Sequence, residues 1–240
     1  LLLPLLALAL ATLFGLSPVL GMGLLILAAA PGGPTANLMS HFAGGNVALN
    51  VTLTALNSLT SVVTLPIFVQ LAYRHFFGEA TTIPVDTAKI MQILIVVMVP
   101  MMLAMWLHSR APHIAGRMRR PINIFSIIFL VVIVIGTVTK ERELIFGGIG
   151  PVGLAVLLFN LGSMAVGFLV PRVLKVSHRD SIAIAMEVGI HNGTLAIAIA
   201  SSPGMMNNLA MAVPAALYTL VMYITGSIWI HFLKRSNVNA

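Results

Sequence analysis

Apolar runs of about 18 residues or more recur along this 240-residue chain, each long enough to cross a hydrocarbon layer of about 30 Å as a helix. The balance of residues agrees. The chain is 59% apolar and 8% charged, with a mean hydropathy of +1.04, whereas soluble domains are about half apolar and a quarter charged. The chain is therefore an integral membrane protein, built from helices.

Eight apolar segments are read, at about 1–14, 19–43, 46–72, 85–107, 123–139, 143–170, 180–201 and 210–233. The first begins inside an apolar run, without a signal peptide's basic leader or cleavage site, and reads as cut short. Two segments are interrupted: Pro31, Gly32, Gly33 and Pro34 break 19–43, and the stretch around Gly189 and Gly193 breaks 180–201. Residues 19–30 are too few to span alone, but 19–43 together make about one crossing. Each broken segment is followed by a long one. Paired broken helices at corresponding places in two halves point to a secondary transporter's binding site. With five segments per repeat the halves lie inverted in the membrane. A second repeat starting at 85 then matches a first repeat of which three segments are present, so two further helices are expected ahead of it.

The net charge of +7 is read as topology rather than as a nucleic-acid surface. Arg110, Arg117, Arg119, Arg120, Arg172, Lys175, Arg179, Lys234 and Arg235 fall in one set of alternate loops, while the other set holds Arg74, Lys140 and Arg142. The positive-inside rule makes the richer set cytoplasmic, with the C-terminus inside, and the expected location is the cell (inner) membrane. The absence of cysteine removes disulfides, thiolate metal sites and cysteine nucleophiles. No serine-protease or nucleotide-binding motif accompanies the spans, so an enzyme is not expected. Two glycosylation patterns, at Asn50 and Asn192, lie within spans.

Of six acidic residues, five lie in loops or at segment ends, and Glu187 alone is deep. A central acidic residue costs about 2.5–3.5 kcal/mol on insertion scales, so it needs a compensating partner. No Lys or Arg lies within a span at that depth, which leaves a proton, His191 or an imported cation. Asn46, Asn50, Thr54, Asn57, Ser61 and Thr64 are spaced by three and four and share one helical face. Such a stripe either packs helices together or, with one carboxylate, forms an oxygen cage for a hard cation such as sodium. His191 is either satisfied by a polar neighbour or handles a proton near working pH.

The stretches "APGGPTANLMSHFAGGNVALNVTLTALNSLTS" and "EVGIHNGTLAIAIA" resemble the bile acid:sodium symporter (BASS) family, and the order of segments agrees along essentially the whole chain. The resemblance implies an all-α inverted-repeat secondary transporter fold with two broken crossing helices, and eight of an expected ten transmembrane helices present. It divides the chain into core parts at 1–72 and 143–240 and panel helices at 85–139. It implies a first sodium site at Asn37, Asn50, Thr54 and Glu187. A second would use Glu187, the carbonyls of Val188 and Ile190, and His191. Substrate contacts would be Thr35, Asn37, Asn192 and Thr194. The implied partners are sodium as coupling ion, the lipid bilayer, and an organic anion that is bile-acid-like or a small carboxylate such as pantoate. Three positions depart from the family pattern: Pro34, Ala36 and His191 stand where threonine, serine and glutamine are usual. Imidazole nitrogen is a poor ligand for a hard alkali cation. The alternatives are a proton-coupled anion carrier using Glu187 and His191, and a ligand-sensing membrane protein without a transport cycle.

Overall fold

The computed structural model describes residues 2–78, 142–203 and 205–236, together with isolated positions between 88 and 110. Among them the elements are α1 (Leu2–Leu13), α2 (Pro18–Ala29), α3 (Pro34–Ala43), α4 (Val47–Phe77), α5 (Arg142–Val173), α6 (His178–Gly189), α7 (Gly193–Ser201), a single 3₁₀ turn (Ala210–Ala212) and α8 (Val213–Ser236). No strand occurs among the described residues, and the fold is that of an all-α polytopic membrane protein. The segments expected at 85–107 and 123–139 lie outside the described residues.

Three described stretches are long and apolar enough to cross a membrane: Val47–Phe77, Gly150–Val173 and Ala210–Leu233. The two interrupted segments divide as the sequence leads one to expect, into α2 with α3 and α6 with α7. At 1.5 Å per residue α2 alone is about 18 Å long, so only the broken pair makes a crossing.

The breaks belong to a repeated pattern. Between α1 and α2, the N–H groups of Phe14, Gly15 and Leu16 donate to the carbonyls of Leu10, Thr12 and Ala11; between α5 and α6, those of Leu174, Lys175 and Val176 donate to Val170, Arg172 and Pro171. The central residues are both left-handed, Gly15 at φ 58° and Lys175 at φ 61°. Each turn ends in a serine N-cap, Ser17 and Ser177, whose side chains accept from the N–H three residues on. The same device thus recurs 160 residues later (17 to 177), preceding each broken segment. Matching turns in these two places are what an internal repeat would produce.

Packing follows from the apolar pattern. Every residue of α2 from Leu20 to Ala28 is buried, as a helix without a polar face requires. It lies among α1, α4, α7 and α8, while α6 lies among α5, α3 and α4. On α4, Leu56, Leu59, Val63, Ile67 and Leu71 are all at least half exposed and follow helical spacing away from Asn50, Thr54 and Ser61. In hydrocarbon such a face is the stable arrangement; in water it would be a large apolar patch.

Candidate functional site

The two breaks touch. Gly32 and His191 form an isolated antiparallel backbone bridge, the Asn192 N–H donates to the Pro31 carbonyl at 2.8 Å, and His191 Nδ1 lies 3.0 Å from the Ala30 carbonyl. Opposite directions at the crossing are what inverted repeats produce. A Cβ at position 32 would stand 2.5 Å from Glu187 Oε1, so any side chain there must displace the carboxylate. Close approach of backbone to carboxylate is thereby built into the "PGGP" turn.

Glu187 occupies the last turn of α6 and is 3% exposed. Its carboxylate is met from α4: the Thr54 hydroxyl donates to Oε2 at 2.6 Å and the Asn57 amide to Oε1 at 3.0 Å. No basic side chain pairs with Glu187 among the described residues. Thr54 Oγ1 also stands 3.0 Å from the Asn50 carbonyl and 3.4 Å from Asn37 Oδ1. A hydroxyl has one proton, so Thr54 donates to one of these oxygens at a time. Asn50 contributes a further oxygen: its amide donates to the Ala183 carbonyl at 2.7 Å, and its buried Oδ1 has no partner. Oxygens of Asn37, Asn50 and Thr54 gathered beside one carboxylate, with Asn50 Oδ1 left without a donor, are the kind of donor set that suits a hard cation.

The polar stripe on α4 serves two purposes. Asn50, Thr54 and Asn57 engage α6. Asn46 engages it too, donating to Asp180 Oδ1 in its first turn at 2.8 Å, and also caps α4 by accepting from the Leu49 N–H. Ser58, Ser61 and Thr64 return their hydroxyls to carbonyls three or four residues back on α4. The stripe's far end is therefore local hydrogen bonding, and its near end meets the Glu187 carboxylate.

α6 continues as helix through Gly189, so Glu187 itself is on regular backbone, while His191 lies in the break. The two therefore do not form the shared-face pair that a spacing of four would give on a continuous helix. His191 is 4% exposed, its ring 5.4 Å from that of Phe159 and 5.5 Å from that of Tyr218. A carbonyl only accepts, so Nδ1 carries the proton toward Ala30, and in the neutral ring Nε2 is the bare nitrogen. Nε2 is buried and without a hydrogen bond.

Two helix N-termini flank the crossing. Asn192 caps α7 by accepting from the Leu195 N–H at 3.0 Å, whereas α3 begins at Gly33 with no side-chain cap. Thr35 and Asn37 sit in the first turn of α3 and Asn192 and Thr194 at the start of α7; of these only Thr194 is exposed, the others being half-buried. Val188, half-buried, and Ile190, buried, flank the end of α6.

Three residues of this region are not evident from sequence patterning. Asn160 on α5 donates to the Gly189 carbonyl at 2.9 Å and to Tyr218 Oη at 3.0 Å; the Tyr218 hydroxyl also donates to Gly189 O at 2.7 Å, and Thr225 to Asn160 Oδ1 at 2.5 Å. Asn160 was detectable as the one amide side chain in the segment 143–170. Tyr218 was not, since Tyr223 on the same helix reads alike and is exposed.

Comparison with known proteins is consistent along the chain. The family model described as "Sodium Bile acid symporter family" matches residues 1–147. The chloroplastic "Probable sodium/metabolite cotransporter BASS1" of Arabidopsis thaliana is 27% identical over 237 residues, covering 97% of this chain and 56% of that protein. The "Uncharacterized sodium-dependent transporter YocS" of Bacillus subtilis (strain 168) is 28% identical over 226 residues, covering 93% and 67%. The "Ileal sodium/bile acid cotransporter" of Oryctolagus cuniculus is 23% identical over 194 residues, covering 80% and 55%. The chain thus spans about half to two thirds of the length of these relatives. All are named as transporters, and none as an enzyme.

Proposed function

Because this chain belongs to the sodium bile acid symporter family, we propose that it is a sodium-coupled carrier of an organic anion, either bile-acid-like or a small carboxylate such as pantoate. The observation that carries this is Glu187, buried at the crossing with neutral oxygen-bearing partners and no basic one among the described residues. A carboxylate so placed is costly unless a cation accompanies it.

Asn37, Asn50, Thr54 and Glu187 form the first cation site, with oxygens from α3, α4 and α6. Glu187, the carbonyls of Val188 and Ile190, and His191 form the second. A cation there supplies positive charge and a reason for the three elements to stay together. The chain's own residues do the coupling. Asn37 lies in the first turn of α3, whose early N–H groups have no side-chain cap, and such a terminus favours an anion. Ordering Asn37 from the cation side therefore orders the anion side, formed by Thr35, Asn37, Asn192 and Thr194. By linkage, anion and sodium raise each other's affinity by the same factor.

Residues 1–72 and 143–240 supply the core in this account, and 85–139 the panel against which it moves. Arg172, Lys175 and Arg179, at the end of α5, in the turn and at the start of α6, orient the protein in the cell membrane with its C-terminus in the cytoplasm. Uptake into proteoliposomes by the full-length protein tests the proposal. Accumulation of taurocholate or pantoate driven by an inward sodium gradient is expected. Uptake that persists without sodium and collapses without a pH gradient indicates proton coupling instead, and binding without accumulation indicates a sensor.

A further inference from the structure

We infer that Asn160 and Tyr218 are positioning residues that lock the Gly189–Ile190 peptide group at the end of α6, and so hold the carbonyls of Val188 and Ile190 for the coupling cation. This rests on the sodium-coupled function proposed above.

The peptide group is held at both ends. Its carbonyl accepts from Asn160 at 2.9 Å and Tyr218 at 2.7 Å, and its N–H, that of Ile190, donates to the Met186 carbonyl at 3.0 Å. The last carbonyls of a helix need outside partners, and one donor would satisfy that need. Here both lone pairs are engaged, and the two donors are bonded to each other at 3.0 Å. Thr225 fixes the amide's other end through Oδ1. Asn160 and Tyr218 are fully buried, and every polar atom of the two side chains has a partner. Such a closed network specifies one geometry, because any rotation of the peptide plane leaves buried donors unpaired.

Its position relative to the site gives it a purpose beyond packing. Gly189 O has both lone pairs engaged, and the carbonyls of Val188 and Ile190 belong to the peptide groups on either side of the one that is held. Phe159, next to Asn160, and Tyr218 also seat the His191 ring. The break is thus referenced to α5 and α8 for its backbone, and to α4 for its carboxylate. Without the first reference, the sodium oxygens of the backbone are free to reorient while those on α4 stay in place.

The test uses sodium alone as the probe. Thermal unfolding of the full-length protein in detergent is followed across sodium chloride concentrations, with choline chloride holding ionic strength constant. Tyr218→Phe retains the ring against His191 and removes only the hydroxyl. It is expected to raise the sodium concentration for half-maximal stabilisation about tenfold. Thr225→Val, which does not touch Gly189, is expected to give about a threefold rise and keeps the test open if Tyr218→Phe folds poorly. A lower melting temperature with sodium affinity within about twofold of wild type in both variants would mean that the network only packs, and overturns the inference. Wild type lacking any sodium-specific stabilisation overturns the sodium-coupled function itself.

Discussion

Thr54 donates its hydroxyl to Glu187 across 2.6 Å, joining α4 to the last turn of α6 at the point where the two broken segments cross. Hydrogen bonds to a carboxylate are worth about twice a neutral one, and this one is buried. Thr54→Val keeps the side chain's shape and removes the donor and the oxygen together. A rise of about tenfold or more in the sodium concentration for half-maximal uptake is expected, with Thr54→Ser close to wild type. The anion KM at saturating sodium should move much less, and the two titrations separate the effects.

Gly32 is expected to tolerate no side chain. Its Cβ would meet both Glu187 oxygens and the carboxyl carbon, the nearest at 2.5 Å. Gly32→Ala should displace the carboxylate from Thr54 and Asn57, cost about 1–3 kcal/mol as overpacking does, and abolish sodium-dependent uptake. Unfolding and uptake measured on one preparation check both parts.

Lys175 gives the opposite case. It is a non-glycine residue at φ 61°, in the turn where the first repeat has Gly15 at φ 58°. Left-handed backbone costs an L-residue about 1–2 kcal/mol. Lys175→Gly is expected to raise the apparent melting temperature and to leave sodium and anion dependence unchanged.

Asn192 joins the two breaks through its N–H and caps α7 through its side chain. Asn192→Ala should remove about 1 kcal/mol of capping and weaken anion affinity more than sodium affinity, because it lies at the helix N-terminus and not among the α4 oxygens. Substrate and sodium titrations of uptake distinguish these. Equal losses in both would place Asn192 in the cation cluster.

Much of this was legible in the sequence because hydrocarbon permits few solutions. The apolar runs, the two Pro/Gly interruptions and the lone deep carboxylate each leave one inexpensive arrangement, and Glu187, Thr54 and Asn50 come together accordingly. The far end of the α4 stripe was not legible. Ser61 and Thr64 continue the spacing and chemistry of the residues that meet Glu187, but lie beyond its reach and return their hydroxyls to their own helix. Asn160 and Tyr218 escaped for a related reason: the carbonyl they hold at Gly189 is exposed by a break 29 residues away from each, and no local pattern records that.

The central claim is that Glu187 is the carboxylate of a sodium site, and sodium-specific thermal stabilisation of wild type and Glu187→Gln tests it most directly. The substitution removes a buried charge and keeps the shape; its amide oxygen can accept from Asn57 and its NH2 can donate to Thr54 Oγ1, so the variant should fold and be at least as stable as wild type in choline chloride. Sodium should raise the melting temperature of wild type by RT ln(1 + [Na⁺]/Kd) in free-energy terms and leave that of Glu187→Gln unchanged. An equal sodium-induced shift in both proteins would contradict the account.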